Sequence, residues 1–296
     1  MKRFILIICL ILSSNNLSTQ ELKKEKPPII DMHLHAFDIH DLGNQAQITQ
    51  KEYTERTIEI LENFNIFAIT SGNFQIVKEW EKRLPNHIIP GFLISNPDSI
   101  IFDTLRTLIN RHEIKVIGEM VQQYEGISPN DPILEPIWKL AEEFDVPIGI
   151  HMGIGDPGAA YVGYPKYRAS LSNPFLIEEV LVHHPKLRIY IMHAAWPMLD
   201  EIIHILYSHP QVYVDIGVID WFIPREEFYF YLKRIVNAGF GKRILFGSDQ
   251  MYWPDKITEA IKTIDSADFL NYQQKRDIFY NNAVQFLRFN SEKAKL

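Results

Sequence analysis

The stretch Ile29-Ile30-Asp31-Met32-His33-Leu34-His35 decides how the chain is read. It opens as a short apolar run, IIDMHL (29–34), and ends in two histidines two positions apart. Side chains two apart on a strand point to the same side, so His33 and His35 share a face. In a closed barrel that face can be the interior, where two imidazoles can share one cation. A dry interior would otherwise reject them.

Seven more runs of this kind follow: IFAIT (66–70), IIPGFLIS (88–95), KVIGE (115–119), VPIGIH (146–151), RIYIMH (188–193), VYVDIG (212–217) and RILFGSD (243–249). Most are dense in Ile, Val or Leu, as strands buried on both faces are. Between them lie stretches with apolar residues at helical spacing: Tyr53 to Phe64, Ile100 to Ile109, Ile133 to Phe144, Phe175 to Val182, Met198 to Tyr207 and Phe228 to Val236. Asn173-Pro174 and Asp131-Pro132 supply caps and early prolines. Strand and helix in rotation predict an α/β chain folded as a (β/α)8 TIM barrel. No shift of composition divides residues 29–296, so they read as one barrel domain. A doubly wound open sheet would want a glycine-rich turn after its first strand, and HLHAFD contains no glycine.

Chemistry in such a barrel sits at the C-terminal ends of the strands. There the runs place His33, His35, Glu119, His151, His193 and Asp249. Any one of these alone reads as a packing residue or a turn cap. Together, near the same end of separate strands, they read as a metal-binding set, and neutral imidazole with carboxylate suits zinc. His112, His183, His184, His204 and His209 fall on helical segments or their ends, and His87 precedes a strand; these read as surface or packing residues.

The chain has 296 residues, 46% hydrophobic, with 37 acidic against 30 basic side chains and a net charge of −7. That is a globular composition. Its acidic balance speaks against a nucleic-acid partner, which would require a basic face. Cys9, the single cysteine, excludes an intrachain disulfide and thiolate zinc. Lys2 and Arg3, the run FILIICLIL (4–12) and the polar residues after it have the layout of a signal peptide over residues 1–20, followed by a charged leader over 21–28. Nine apolar residues are too few for a spanning helix, which needs about 20. The expectation is an exported protein, periplasmic or secreted, with no stable membrane insertion. Its oligomeric state, homo-oligomer included, is left open.

DMHLH at the first strand, GIHMG after the fifth, IMHAA after the sixth and FGSD at the eighth, in this order, resemble the amidohydrolase superfamily. More closely they resemble its TIM-barrel branch called amidohydrolase 2, over roughly residues 29–289. The resemblance implies a divalent metal cofactor, zinc being the expected one, with one or two ions. His33, His35 and Asp249 would hold the more buried ion, and His151 and His193 a second. In single-metal members His151 joins the first ion and His193 polarises a carbonyl or handles a proton. Glu119, in VIGEM, stands where many two-metal members carry a modified lysine, and is similar to the bridging glutamate of deoxyribonuclease-like and phosphotriesterase-like members. The implied activity is hydrolysis of an amide, lactone or ester of a small organic substrate, with Asp249 and His193 catalytic. The alternatives are metal-dependent non-oxidative decarboxylation of a small carboxylic acid, and a non-catalytic exported binding protein. In the long loop 152–172, Tyr164 and Arg168 are candidates to contact substrate, as is Trp253 after the eighth strand; they lean toward a small organic acid or cyclic ester.

Overall fold

The computed structural model describes residues 26–97 and 99–289. The expected signal peptide, most of the leader and residues 290–296 lie outside them. Eight parallel strands follow one another around the barrel in chain order: β1 (Ile29–Ala36), β2 (Ile66–Gly72), β3 (Ile88–Ile94), β4 (Val116–Met120), β5 (Ile148–Ile150), β6 (Ile189–Ile191), β7 (Val212–Asp215) and β8 (Ile244–Leu245). The seam between the last and the first closes above β8. There Met32 N donates to Phe246 O at 2.9 Å and Asp249 N donates to His33 O at 2.6 Å. The chain thus forms the expected (β/α)8 TIM barrel.

The helices between the strands are α1 (Gln50–Phe64), α2 (Phe74–Arg83), α3 (Ser99–Asn110), α4 (Glu135–Glu143), α5 (Glu178–His183) and α6 (Leu199–Ser208). A short α7 (Ile219–Phe222) precedes α8 (Arg225–Ile235), and α9 (Asp255–Asp265), α10 (Tyr272–Arg276) and α11 (Asn282–Leu287) follow β8. α1 starts at a capping box in which Thr49 and Glu52 satisfy each other's backbone N–H, and stops at left-handed Asn65. α2, α7, α9, α10 and α11 were not among the expected helices. α2 is only ten residues long, starts directly after β2 at the Asn73 cap, and buries Ile76, Val77 and Trp80.

The strands end sooner than the apolar runs do. β5, β6 and β8 stop before His151, His193 and Asp249. His193 and Asp249 have φ of 56° and 46°, a left-handed conformation that cannot continue a strand. Beneath the site, the fully buried Tyr190 fills the barrel and its hydroxyl donates to Met32 O at 3.1 Å. Gly149 makes room for that ring, because a Cβ there would lie 2.5 Å from the Tyr190 hydroxyl oxygen.

Candidate metal centre

All six residues expected to bind metal come together at the C-terminal end of the barrel, each at most 5% exposed. His33 Nε2 and His35 Nε2 are 3.2 Å apart. Glu119 Oε2 lies 3.6 Å from the first and 3.4 Å from the second. Asp249 Oδ1 lies 3.5 Å and 3.2 Å from the same two nitrogens. On the other side of Glu119, Oε1 is 2.6 Å from His151 Nδ1 and 3.7 Å from His193 Nε2. Those two nitrogens are 3.1 Å apart. The two oxygens of Glu119 therefore face two separate groups of donors.

Outer contacts set the free nitrogens. His193 Nδ1 is 3.0 Å from Gly217 O, a partner that only accepts. The proton therefore sits on Nδ1, and Nε2 turns its lone pair to His151 and Glu119. Asp215 Oδ2 stands 3.2 Å from His33 Nδ1, at ion-pair distance but off the line of a hydrogen bond, and the Ser71 hydroxyl, able to donate or accept, stands 3.4 Å from His35 Nδ1. Such partners fix the tautomer and orientation of a ligating histidine. Asp215 also accepts from His193 N at 3.2 Å and Gly217 N at 2.8 Å. It pins two turns at once, the one after β6 where His193 has a φ of 56° and the one after β7 where Val218 has a φ of 58°. Such strain, about 1–3 kcal/mol per residue, persists only where the surroundings enforce it. Asp31, pushed up to about 6 by burial, accepts from His33 N and Ser248 N at 3.0 Å each. Gly247 lets β8 approach, since its Cβ would come within 2.8 Å of His33 Cβ.

Burial opposes charge on every group in the centre, and the mutual fields decide the outcome. For Glu119, burial is outweighed by His151 and His33, which hold the carboxyl well below its ordinary range. Asp249 is held down in the same manner, chiefly by His33. Asp249, Asp215 and Glu119 overcome burial at His33 and raise it well above the ordinary imidazole range, whereas burial prevails at His151 and lowers it. The carboxylates are thus ionised, and no Lys or Arg pairs with them among the described residues. That is the charge pattern of a cation site.

The expected substrate contacts fare unevenly. Arg168 is exposed, and its guanidinium donates to the Pro165 and Tyr167 carbonyls of its own loop at 2.9 and 2.8 Å, so it ties the loop down. Tyr164 packs edge-on against Tyr124 at 4.7 Å between ring centroids, and Tyr124 reaches His151 at 5.2 Å. Trp253, 48% exposed, packs on Tyr252 and Trp221. The sequence reading missed Asp215, Asp31 and Tyr124. Asp215 lay inside the quoted run VYVDIG, in the place along β7 where other strands carry ligands, and that was the available signal.

The family model described as Amidohydrolase matches residues 30–289. Among curated proteins, the protein fluG of Emericella nidulans is 22% identical over 142 residues, which are 47% of this chain and 16% of that protein, so the match spans about a sixth of its length. Solved structures show the same fold. An uncharacterized TIM-barrel protein, Bb4693 from Bordetella bronchiseptica, superposes with a TM-score of 0.62 at 18% identity, covering 91% of this chain and all of that one. A probable 2-pyrone-4,6-dicarboxylic acid hydrolase from Acinetobacter baumannii, with citric acid bound, gives 0.63 at 14% identity over 88% and 99%. A 5-carboxyvanillate decarboxylase from Novosphingobium aromaticivorans, with manganese bound, gives 0.62 at 13% identity over 90% and 98%. With a family match across nearly the whole described barrel and the histidines and acids of the centre assembled at its mouth, this chain belongs to the amidohydrolase family.

Proposed function

We propose that this protein is a metal-dependent hydrolase that cleaves an amide, lactone or ester bond of a small organic substrate. The observation that carries the reading is the division of Glu119 between two donor groups, with Oε2 toward His33 and His35 and Oε1 toward His151 and His193. The donor set fits one or two divalent cations: four buried imidazoles, of which His151 is held toward its neutral form, and two carboxylates held ionised, with their donor atoms in overlapping groups of three. His33, His35, Glu119 and Asp249 would hold one ion, and Glu119, His151 and His193 the other. Zinc suits these ligands, and the manganese of the decarboxylase makes that metal the second to test. A cation bound there supplies Lewis acidity and lowers the pKa of water toward neutrality.

The chain's own groups supply proton transfer and order. Asp249 stays ionised and accepts the proton of the attacking water at a carboxylate oxygen, then returns it to the leaving group. His193 has its Nδ1 proton committed to Gly217 O, which favours a ligand role for it over proton transfer. The loop 152–172 is held to the loop after β4, where Gln123 Nε2 donates to Ser172 Oγ at 2.7 Å and to Arg168 O at 3.4 Å. Asp249→Asn is expected to keep most of the metal and lose roughly 10²–10⁴-fold in turnover. An Asn variant of wild-type activity on a confirmed substrate overturns the proton-shuttle role.

Decarboxylation is the second reading, because His33, His193 and Asp249 by themselves form a group able to hold a single ion. Metal per chain, followed by assays on lactones, amides, esters and aromatic carboxylates, separates the two. Two ions with hydrolysis support the first reading, and one ion with release of carbon dioxide supports the second. A non-catalytic binder is disfavoured because all six donors are present. The reading includes export, on the layout of residues 1–20. No helix among the described residues is long and apolar enough to cross a membrane.

A further inference from the structure

Two files of aromatic rings rise from the metal-binding histidines to the barrel mouth. On one side Phe37 stacks on His35 at 4.5 Å, Tyr252 follows Phe37 at 5.4 Å, and Trp253 follows Tyr252 at 6.0 Å. On the other side Tyr124 meets His151 at 5.2 Å and carries Tyr164 and Tyr167 at 4.7 and 5.2 Å. Tyr252 and Trp253 come from the loop after β8, Tyr124 from the loop after β4, and Tyr164 and Tyr167 from the loop after β5. Trp253 and Tyr164 remain 48% and 41% exposed, so ring surface is left for a ligand.

The charges on these loops are one-sided. Among the described residues of the eight loops that leave the C-terminal strand ends, the only Lys or Arg are Lys166 and Arg168. Both are occupied, Lys166 by Glu125 at 3.1 Å and Arg168 by the carbonyls of its own loop. Asp38 is taken by His40 at 2.6 Å. Asp41 and Asp156 have no Lys, Arg or His partner among the described residues. Asp156 sits against the Tyr124 file: its backbone N–H donates to the Tyr124 hydroxyl at 3.3 Å, and that of its neighbour Gly155 donates to the Tyr167 hydroxyl at 3.1 Å. Rings with exposed faces around an uncompensated carboxylate are the chemistry that binds an organic cation. Of the basic side chains that open the helices beyond these loops, Lys256 lies 5.0 Å over the Trp221 ring and 2.7 Å from Glu259, and Arg225 lies 5.6 Å over the Tyr229 ring.

We infer that the mouth selects a substrate carrying a positively charged nitrogen, an ammonium- or amine-bearing ester, amide or lactone, held between the Tyr252–Trp253 and Tyr124–Tyr164 files beside Asp156. The inference rests on the hydrolase reading for the bond cleaved, and it replaces the expected lean toward an organic acid. Positive charge is read by the mouth, and cleavage by the floor.

The test is a binding comparison on the full metal-loaded protein, with no turnover required. Choline and 3,3-dimethylbutan-1-ol have the same shape and differ by one charge. Titrations followed by tryptophan fluorescence and ligand-observed NMR should give choline a Kd at least about tenfold lower, the scale of one cation–π contact with a nearby carboxylate. Asp156→Asn, an exposed position, and Tyr252→Leu should each bring the ratio down by about threefold or more. A wild-type ratio below about threefold, no choline binding at tens of millimolar, or a preference that survives both substitutions overturns the inference. Failure of the hydrolase reading looks different: choline still binds selectively, but no ester, amide or lactone is cleaved.

Discussion

Asp215→Asn tests how the centre is held together. The wild-type carboxylate is fully buried and serves three groups. Its Oδ1 accepts from His193 N and Gly217 N at 3.2 and 2.8 Å, and its Oδ2 faces His33 Nδ1 at 3.2 Å. An asparagine must keep its oxygen toward the two N–H groups, because the amide nitrogen cannot accept from them. Its NH2 then faces His33 Nδ1 and demands a lone pair there. The His33 proton moves to Nε2, the atom directed at Glu119 and Asp249, and one metal ligand is lost. Substitution of such an outer partner costs roughly 10–100-fold in metal affinity, or about 1.4–2.8 kcal/mol. Asp215→Ala is the harsher control. It strands two buried N–H groups at about 1–3 kcal/mol each, a large share of a stability of about 5–15 kcal/mol. The assay is competition for zinc against a chromogenic chelator, with thermal melting of the metal-free protein alongside. The Asn variant should melt near wild type and bind zinc more weakly, whereas the Ala variant should melt well below it. An Asn variant with wild-type zinc affinity, or one whose affinity falls only in step with its melting temperature, refutes the reasoning.

Glu119→Gln removes the carboxylate that turns one oxygen to each donor set, so bound metal measured by elemental analysis should fall by about one ion per chain if two are present, with turnover falling by orders of magnitude. Gly149→Ala drives a methyl into Tyr190 and Met192 at 2.5 Å; overpacking of this kind costs about 1–3 kcal/mol, and calorimetry should record a Tm lower by several degrees. Asp277 accepts from Lys242 Nζ at 2.5 Å and from Gln273 and Asn281 at 2.9 Å each. Burial alone would raise its carboxyl, but these donors hold it below its ordinary value. A folded pKa below the unfolded one gives stability that is full above about pH 4 and is lost as pH falls through the folded value. The Tm gap between wild type and Asp277→Asn should therefore be full at pH 6 and close on acidification below about 4; a gap that does not change with pH contradicts this.

Some of this was legible in the linear chain because it depends on local regularities. Apolar runs alternating with helix-spaced segments set the barrel, since a strand covered on both faces has to be apolar throughout. The spacing of His33 and His35 put both on one side, and the polar residue closing each run marked the rim. α2 and α9 carry the same helical spacing, with Ile76, Val77 and Trp80 buried in one and Ile257, Ala260, Ile261 and Ile264 in the other; the first starts at its cap directly after β2, and the second lies beyond the last ligand. The centre itself depended on three-dimensional contacts. The register shifts of β1 between Asp31 and Leu34 and of β4 between Ile117 and Met120 fall where His33 and Glu119 are aimed, and such irregularities re-aim side chains. Left-handed turns at His193 and Asp249 lift those ligands off the strands. Asp215, 182 positions from His33 in the chain, becomes its partner only when β7 closes toward β1. Arg168 turned back on its own loop because its guanidinium found two carbonyls there. Periodicity is set by the neighbours along the chain, so sequence carries it; ligand aim, tautomer and the charge of the mouth are set by groups that meet only once the barrel closes.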